Sequence, residues 1–207
     1  SSKINCVLHP KTELDLIEFK LTAMHKKASG EVFFANGYQS WTTTREYSPD
    51  DTVNGYFPLA KMSDFTRSLA GISGDYHFTK YGEKGRFHSF TYAYFRQGDK
   101  LELFGSMNER TGYTIFEVNY PENSFSIIKE VEGVKVSGDY ELVNVRRFEG
   151  GYDNVFDRYF GLMDLRKPKV EHLSGYTSWY NYFQKINEDI ILRDLDGLDR
   201  AKDEVSI

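Results

Sequence analysis

The feature that most constrains this chain is a succession of short strand-like segments over its first 150 residues. The segments are rich in β-branched and aromatic residues, and Gly, Asn, Asp and Pro separate them. Residues 113–120 and 141–147 alternate polar and apolar side chains with a period of about two, as half-buried strands do. The pattern predicts a mainly β fold, built as a large antiparallel β-sandwich.

The other predicted strands follow from the same signals. They comprise residues 31–35, 87–95, 101–105, 124–131 and 134–137. Gly98 and Asp99 form a predicted hairpin turn just before the strand at 101–105. Residues 48–63 and 71–85 show little periodicity and are predicted to be extended loops.

Composition narrows the classes of function. Aromatic residues make up 16% of the chain, which indicates a β-rich core. The net charge is −5 and the basic residues are scattered, so nucleic acid is not an expected partner. No run of about 18 apolar residues is present, so we expect no membrane span.

Cysteine and histidine usage argues against metal or cofactor chemistry. Cys6 is the only cysteine, which excludes an internal disulfide and any multi-cysteine metal site. The five histidines lack ligand spacing, so neither a metal nor another cofactor is predicted. The single cysteine fits a reducing compartment, and we predict a cytoplasmic location. Secretion stays open because the chain begins without Met.

The pattern changes after Gly150 and Gly151. Residues 152–165 carry an apolar stripe at helical spacing, and residues 166–172, which contain Pro168, are predicted to be a linker. Residues 173–178 form a strand candidate, and Asn187 is placed to cap a helix with Ile191, Leu195 and Leu198 on one face. Residues 173–207 therefore have the order strand, loop and helix, which is half of a βαβ unit.

The two tryptophans occupy segments of similar composition. Residues 36–41 are NGYQSW, and residues 175–183 are GYTSWYNYF. A sugar site combines an aromatic platform with nearby amide and hydroxyl groups, and both segments offer that combination. From composition alone, however, Trp41 and Trp179 are interpreted first as ordinary core aromatics.

These two segments resemble glycoside hydrolase family 36, the melibiase-like α-galactosidases. Residues 175–183 and the acidic, Ile-rich and Leu-rich stretch after them resemble the opening of the family's catalytic barrel. Residues 36–41 look like the Q-S-W motif of its N-terminal sandwich domain. The resemblance implies a β-sandwich (supersandwich) at 1–165, a linker at 166–172, and the first strand–helix unit of a truncated (β/α)8 barrel at 173–207.

The resemblance also implies a function and a set of site residues. The parent enzyme would be a retaining α-galactosidase acting on melibiose or raffinose sugars, with Trp41, Trp179 and Tyr180 against the substrate. Tyr38, Gln39 and Asn181 are weaker candidates, and Tyr38 and Gln39 could instead satisfy loop backbone groups.

No catalytic residue is assigned within the chain. In the family the nucleophile and the acid/base are Asp residues on later barrel strands, which places them beyond residue 207, so we expect the chain alone to be inactive. Asp194, Asp196 and Asp199 are interpreted as charges on a solvated helix face. Glu109 and Arg110 are likewise interpreted as surface or strand-edge charges.

Three points stay open from the sequence. The chain could instead be a non-catalytic carbohydrate-binding or interaction module. Family members often assemble through the sandwich, so a homo-oligomer is possible. Linkage preference, and the choice between hydrolysis and transglycosylation, are not encoded in these residues.

Overall fold

The computed structural model describes residues 1–38, 42–53, 82–163, 165, 169 and 175–205. The chain divides into two compact units, Ser1–Asp164 and Leu165–Ile207. Most of the regular structure of the first unit is β, as the sequence predicts, and the regular structure described in the second unit is helical.

The described part of the first unit contains ten strands and one helix. The strands are β1 (Ser2–Leu8), β2 (Leu14–Met24), β3 (Val32–Ala35), β4 (Arg45–Tyr47), β5 (Arg86–Phe90), β6 (Tyr92–Gln97), β7 (Lys100–Ser106), β8 (Tyr113–Asn119), β9 (Ser124–Val136) and β10 (Tyr140–Gly150), and the helix is α1 (Tyr152–Gly161). They form a six-stranded sheet in the order β1-β10-β7-β6-β3-β4 and a four-stranded sheet in the order β2-β9-β8-β5. The paired strands are antiparallel throughout.

The two sheets pack face to face through a core of phenylalanine rings. The Phe104 ring of the first sheet lies 4.8 Å from the Phe125 ring of the second, and the Phe95 and Phe125 rings are 5.1 Å apart. These residues belong to one buried cluster that draws side chains from both sheets. Alternation directs every second residue of a strand into this layer. The predicted β-sandwich is confirmed.

Helix α1 covers the opposite face of the six-stranded sheet. Val155 and Tyr159 are fully buried there, against Tyr94, Leu103 and Phe148 of the sheet. The predicted apolar stripe is thus correct for Val155 and Tyr159. The helix ends at Gly161, four residues before its predicted end, and Phe160 is exposed.

Several predicted strands have different limits in the structure. The predicted strand at 87–95 is two strands, β5 and β6, because Thr91 adopts a positive φ of 66° and the chain crosses there from one sheet to the other. Residues 124–131 and 134–137 belong largely to one strand, β9, which continues through Gly133 with φ of 79°. The hairpin turn at Gly98 and Asp99 is confirmed by the pairing of Gln97 with Lys100.

Strands β1, β2 and β4 are not among the predicted strands. In β1, Ile4, Cys6 and Leu8 are half-buried and alternate with exposed residues. This alternation is visible in the sequence and could have predicted the strand. Of the two predicted loops, residues 54–63 and 71–81 lie outside the described residues. The described parts contain one isolated bridge, between Thr52 and Lys84.

The second unit contains helix α2 (Trp179–Tyr182), a 3-10 turn (Phe183–Lys185) and helix α3 (Glu188–Val205). The Asn187 cap is confirmed, because the backbone N–H of Ile190 donates to Asn187 Oδ1 at 2.9 Å. In the strand candidate at 173–178, residues 175–178 take no strand conformation, and 173–174 lie outside the described residues. None of the described helices combines the length and apolarity needed to cross a lipid bilayer.

Three charged side chains of the four-stranded sheet, Lys20, Arg86 and Glu117, form an ion-pair network that makes stability depend on pH. Lys20 donates to Glu117 Oε1 at 2.9 Å and Arg86 donates to Oε2 at 2.8 Å. Burial alone would raise the pKa of Glu117, but the hydrogen bonds from Lys20 and Arg86 hold this pKa below its usual value. The stabilisation is therefore fully present above the unfolded-state pKa of about 4.3, and it is lost as the pH falls through the folded-state pKa.

We expect acidification to destabilise the wild-type chain more than it destabilises the Glu117→Gln variant. Urea unfolding at neutral pH and at about pH 3 measures the difference in free energy. Glu122→Gln, in an exposed turn, is the matched control and should behave like the wild type. Equal acid sensitivity of Glu117→Gln and wild type would contradict the prediction.

Candidate functional site

The first tryptophan segment begins at a fixed point on the sandwich. Asn36 Nδ2 donates to the carbonyl of Phe90 at 3.1 Å, and the Asn36 backbone N–H donates to Ser89 Oγ at 2.8 Å. Gly37 follows in a tight space, where an added Cβ would lie 2.5 Å from Cγ2 of Thr42. Backbone bonding therefore fixes the start of the segment beside the crossover from β5 to β6.

Two of the predicted site residues in this segment, Trp41 and Gln39, lie outside the described residues. Tyr38 is described, and its ring lies 5.2 Å from that of Phe90 and 4.9 Å from that of Tyr113. Tyr38 and Tyr113 are 36% and 40% exposed, so they form a partly open aromatic surface rather than core.

A groove of about 240 Å³ runs beside this aromatic surface. It is lined by Asn36, Gly37, Tyr38, Phe90, Thr91, Glu109 and Tyr113. The lining combines ring faces with an amide, a hydroxyl and a carboxyl group, which is the composition of a small polar-ligand site. Sequence reasoning singled out Tyr38 alone from this set.

Glu109 lies at the strand edge, which agrees with one half of its interpretation as a surface or strand-edge charge, but it is not a fully exposed charge. Glu109 is half-buried, and its Oε2 accepts a hydrogen bond from the backbone N–H of Thr114 at 2.9 Å. Arg110, its neighbour, is exposed as predicted. The turn that joins β7 to β8 directs Glu109 back towards the sheet, and no sequence periodicity marks such a turn.

Lys129 lies near Glu109 in the interior and is 2% exposed. Its Nζ donates to the Asn108 carbonyl at 2.6 Å and to Thr114 Oγ1 at 3.1 Å. Burial lowers the pKa of Lys129, and the negative charges of Glu109 and Glu141 oppose that shift. A buried lysine is tolerated here because two of its three donors are bonded and carboxylates are close.

The second tryptophan segment lies in the second unit and is exposed there. Trp179 opens helix α2, is 56% exposed, and has its ring 4.4 Å from that of Phe183. Tyr180 is 93% exposed. Within the described residues, therefore, Trp179 is not a core aromatic. The interpretation as a core residue, which composition alone favours, is wrong for Trp179.

Hydrogen bonds to Asp194 hold the segment that carries Trp179. Tyr176 donates to Asp194 Oδ2 at 2.5 Å, and Tyr182 donates to Oδ1 at 3.1 Å. Arg193 donates to the Tyr182 hydroxyl at 2.7 Å and to Asp194 Oδ1 at 2.9 Å. Two tyrosines on either side of Trp179 are thus tied to one carboxylate on α3.

The interpretation of Asp194 as a solvated surface charge is therefore wrong. Its side chain is 16% exposed, whereas Asp196 and Asp199 are exposed as predicted. The hydrogen bond from Tyr176 is the first cause that lowers the pKa of Asp194, and Arg193 and Tyr182 add to it. Asp194 lies on the side of α3 that contacts Tyr176 and Tyr182. The spacing of apolar residues along α3 does not predict this contact.

The described residues show further depressions, among them one of about 310 Å³ that includes Arg147 and Arg158 and one of about 200 Å³ at the ends of strands β6, β7 and β10. The charged side chains that line them are largely paired, because Arg96 donates to Glu46 and Arg147 donates to Glu102. Within the same described ranges, no group of three or more His, Cys, Asp or Glu side chains is placed to hold a metal ion. These features do not suggest another site.

Comparison with known proteins gives no match, so any function must be argued from the residues of this chain. No family model matches the chain, and no curated protein matches its sequence.

Proposed function

We propose that this chain is the front part of a retaining α-galactosidase of the family 36 type and supplies one wall of its sugar pocket. The observation that carries the proposal is the exposed Trp179, held between two tyrosines that bond Asp194. An exposed aromatic ring on a restrained segment offers a flat face to the C–H side of a sugar at low entropic cost. Tyr180, beside it, adds further exposed aromatic surface.

The same proposal includes the fold of the family and the domain limits that the resemblance implies. Under it the sandwich is the supersandwich of the family, with limits 1–165. Residues 166–172 link it to the first strand–helix unit of a (β/α)8 barrel at 173–207. In the complete barrel, residues 173–178, of which 175–178 form no strand in this chain, would pair as the first strand, and Trp179 would follow it on the face where barrel enzymes build their sites.

The chemistry would come from residues outside these 207. Retaining glycosidases place two carboxyl groups about 5–5.5 Å apart, one as nucleophile and one as acid/base. The role of this chain is to bind and orient: Trp179, with Tyr180 beside it, offers the aromatic surface for terminal α-galactosyl groups of melibiose or raffinose. We expect the chain alone to release no galactose from melibiose.

The second candidate function is a non-catalytic carbohydrate-binding module. The groove beside Tyr38 favours it, because that groove lies wholly within the sandwich unit. The gene separates the two functions. Under the enzyme proposal, the codons after Ile207 begin an apolar strand that ends in Asp-Asp, whereas a stop codon at that point contradicts the enzyme.

Trp179→Ala tests the proposed binding surface directly. We expect about a tenfold loss of affinity for melibiose, equivalent to about 1.4 kcal/mol, because a sugar–aromatic contact is removed. Ligand-observed NMR titration measures the affinity, and far-UV circular dichroism checks that the fold is retained.

Tyr152→Ala is the control for Trp179→Ala, since Tyr152 is an exposed aromatic on α1 of the other unit. It should leave melibiose affinity unchanged. If Trp179→Ala also leaves the affinity unchanged, Trp179 is a packing residue and the proposed function fails.

A further inference from the structure

We propose that the groove beside Tyr38 is a binding site for a single neutral hexose ring, independent of the Trp179 surface. The site is confined to the sandwich unit and uses Tyr38, Tyr113, Thr91 and Glu109. It does not depend on the proposed α-galactosidase function, because none of its residues belongs to the second unit, which carries Trp179.

The size of the groove fits one ring rather than an extended chain. Its volume of about 240 Å³ lies just below the roughly 300–1,000 Å³ of pockets for drug-sized ligands. Tyr38 and Tyr113 meet edge to face, with an interplanar angle of 71°, and each is more than a third exposed. Two such rings make a stepped apolar wall on which the C–H face of a sugar can lie.

Glu109 supplies acceptor capacity at this wall. Among the buried side-chain oxygen and nitrogen atoms of the described residues, Oε1 of Glu109 alone has no hydrogen-bond partner. An unsatisfied buried acceptor is unfavourable, so a ligand hydroxyl in the groove gains a hydrogen bond when a small shift of the carboxyl group exposes Oε1 to it. Oε2 is already fixed by the Thr114 N–H, which limits how far the carboxyl group can turn.

The neighbouring charge selects the class of ligand. Lys129 is buried close enough to Glu109 for their charges to interact, so the carboxylate already faces a positive group. That positive charge weakens the attraction of the carboxylate for a cationic ligand. A neutral hydroxyl donor gains the hydrogen bond without that cost, which favours a sugar over an amine.

Thr91 provides the second polar group at an unusual backbone position. Its φ of 66° is a left-handed conformation that a β-branched residue adopts only under constraint. Its N–H donates to the Thr114 carbonyl at 3.0 Å, and its carbonyl accepts from the Ser106 N–H at 2.8 Å, so both sheets hold it. The crossover explains the conformation, and the same conformation places residue 91 in the groove lining.

The test uses the 207-residue chain carrying Trp179→Ala, which removes the other proposed sugar surface. Saturation-transfer NMR with methyl glucoside and methyl galactoside should show transfer to the ring protons. Tyr38→Ala, Glu109→Gln and Thr91→Gly, each added to this background, should reduce the transfer at least fivefold. Tyr152→Ala should leave it unchanged.

Thr91→Gly separates binding from folding. Glycine adopts positive φ without steric strain, so we expect the melting temperature of this variant to be maintained or raised while the hydroxyl is lost. Glu109→Gln keeps the size of the side chain, and its amide oxygen can still accept from Thr114. Its NH₂ group then replaces the free acceptor with a donor.

Three outcomes would overturn the site: no transfer in the Trp179→Ala background, unchanged transfer in the three groove variants, or displacement of the hexose by tetramethylammonium. Failure of the α-galactosidase proposal looks different. In that case Trp179→Ala leaves melibiose affinity unchanged, while the groove variants still reduce the transfer to methyl hexosides.

Discussion

Replacing Tyr159 by alanine should lower the free energy of unfolding of the sandwich unit by about 3–5 kcal/mol, the range for large aromatic truncations in a core. Tyr159 is fully buried between helix α1 and the six-stranded sheet. Its hydroxyl donates to the Ser106 carbonyl at 2.8 Å, so truncation also leaves a buried acceptor without its donor. Urea or thermal unfolding measures the loss.

Gly105 provides a double-mutant test of the same contact. An alanine Cβ at position 105 would lie 2.5 Å from Cζ of Tyr159, so Gly105→Ala overpacks the interface and should cost about 1–3 kcal/mol alone. In the Tyr159→Ala background the ring is gone, and the added methyl group partly fills the space. We therefore expect the two effects to be strongly non-additive.

Two controls make the Tyr159 result specific. Tyr159→Phe keeps the ring and removes only the hydrogen bond, so it should cost about 1 kcal/mol. Gly161→Ala, at the end of α1 where an added Cβ meets nothing within 4 Å, should change little. Additive effects of Tyr159→Ala and Gly105→Ala would contradict the close approach of ring and strand.

The sandwich was predictable because its signal is local and repeated. In strand β8, Phe116 and Val118 are buried and Glu117 and Asn119 are half-buried, and this period of two is visible in the sequence alone. The cap at Asn187 was predictable for a similar reason, because a capping side chain bonds a backbone N–H only three residues away. Both features depend on neighbours in the chain.

The split of the predicted strand at 87–95 was not predictable from its residues. The chain changes sheet at Thr91, and a threonine carries no signal for a positive φ. The conformation is imposed by hydrogen bonds to Thr114 and Ser106, which are distant in the sequence. Tertiary bonding overrides the local preference at this point.

The candidate sites divide in the same way. Tyr38 and Trp179 stand out in the sequence, because aromatic residues among amides and hydroxyls suggest sugar binding. Glu109, Lys129 and Asp194 do not, since each is an ordinary charged residue until its burial and partners are known. Three-dimensional contact, rather than residue type, gives these three their roles.

Asp194→Asn should release the restraint on Tyr176 and lower the pKa of that tyrosine. The hydrogen bond to Asp194, together with the negative charge of the carboxylate, raises the pKa of Tyr176 to about 12. The sign follows because a carboxylate that accepts from a phenol stabilises the protonated form. Without the charge, we expect the pKa to fall towards about 10, the ordinary value for tyrosine.

Titration of chain labelled with ¹³C at the tyrosine Cζ, with Tyr176→Phe to assign the resonance, measures this shift. Asp196→Asn, an exposed neighbour on α3, is the matched control and should leave the Tyr176 pKa unchanged. The same titration in Tyr182→Phe separates the two donors, because that variant leaves Asp194 charged and the Tyr176 pKa should stay high. An unshifted Tyr176 in Asp194→Asn would show that the carboxylate does not hold the segment.

Asp194 has a consequence for binding that rests on the proposed function. If Asp194 positions the segment that carries Trp179, Asp194→Asn should weaken melibiose binding although Asp194 itself need not touch the sugar. A merely structural role would lower the stability of the helical unit without changing affinity in the folded fraction. Because Tyr176 and Tyr182 flank Trp179 and both bond this carboxylate, we expect the loss of affinity to accompany the fall in the Tyr176 pKa across the Asp194 and Asp196 variants.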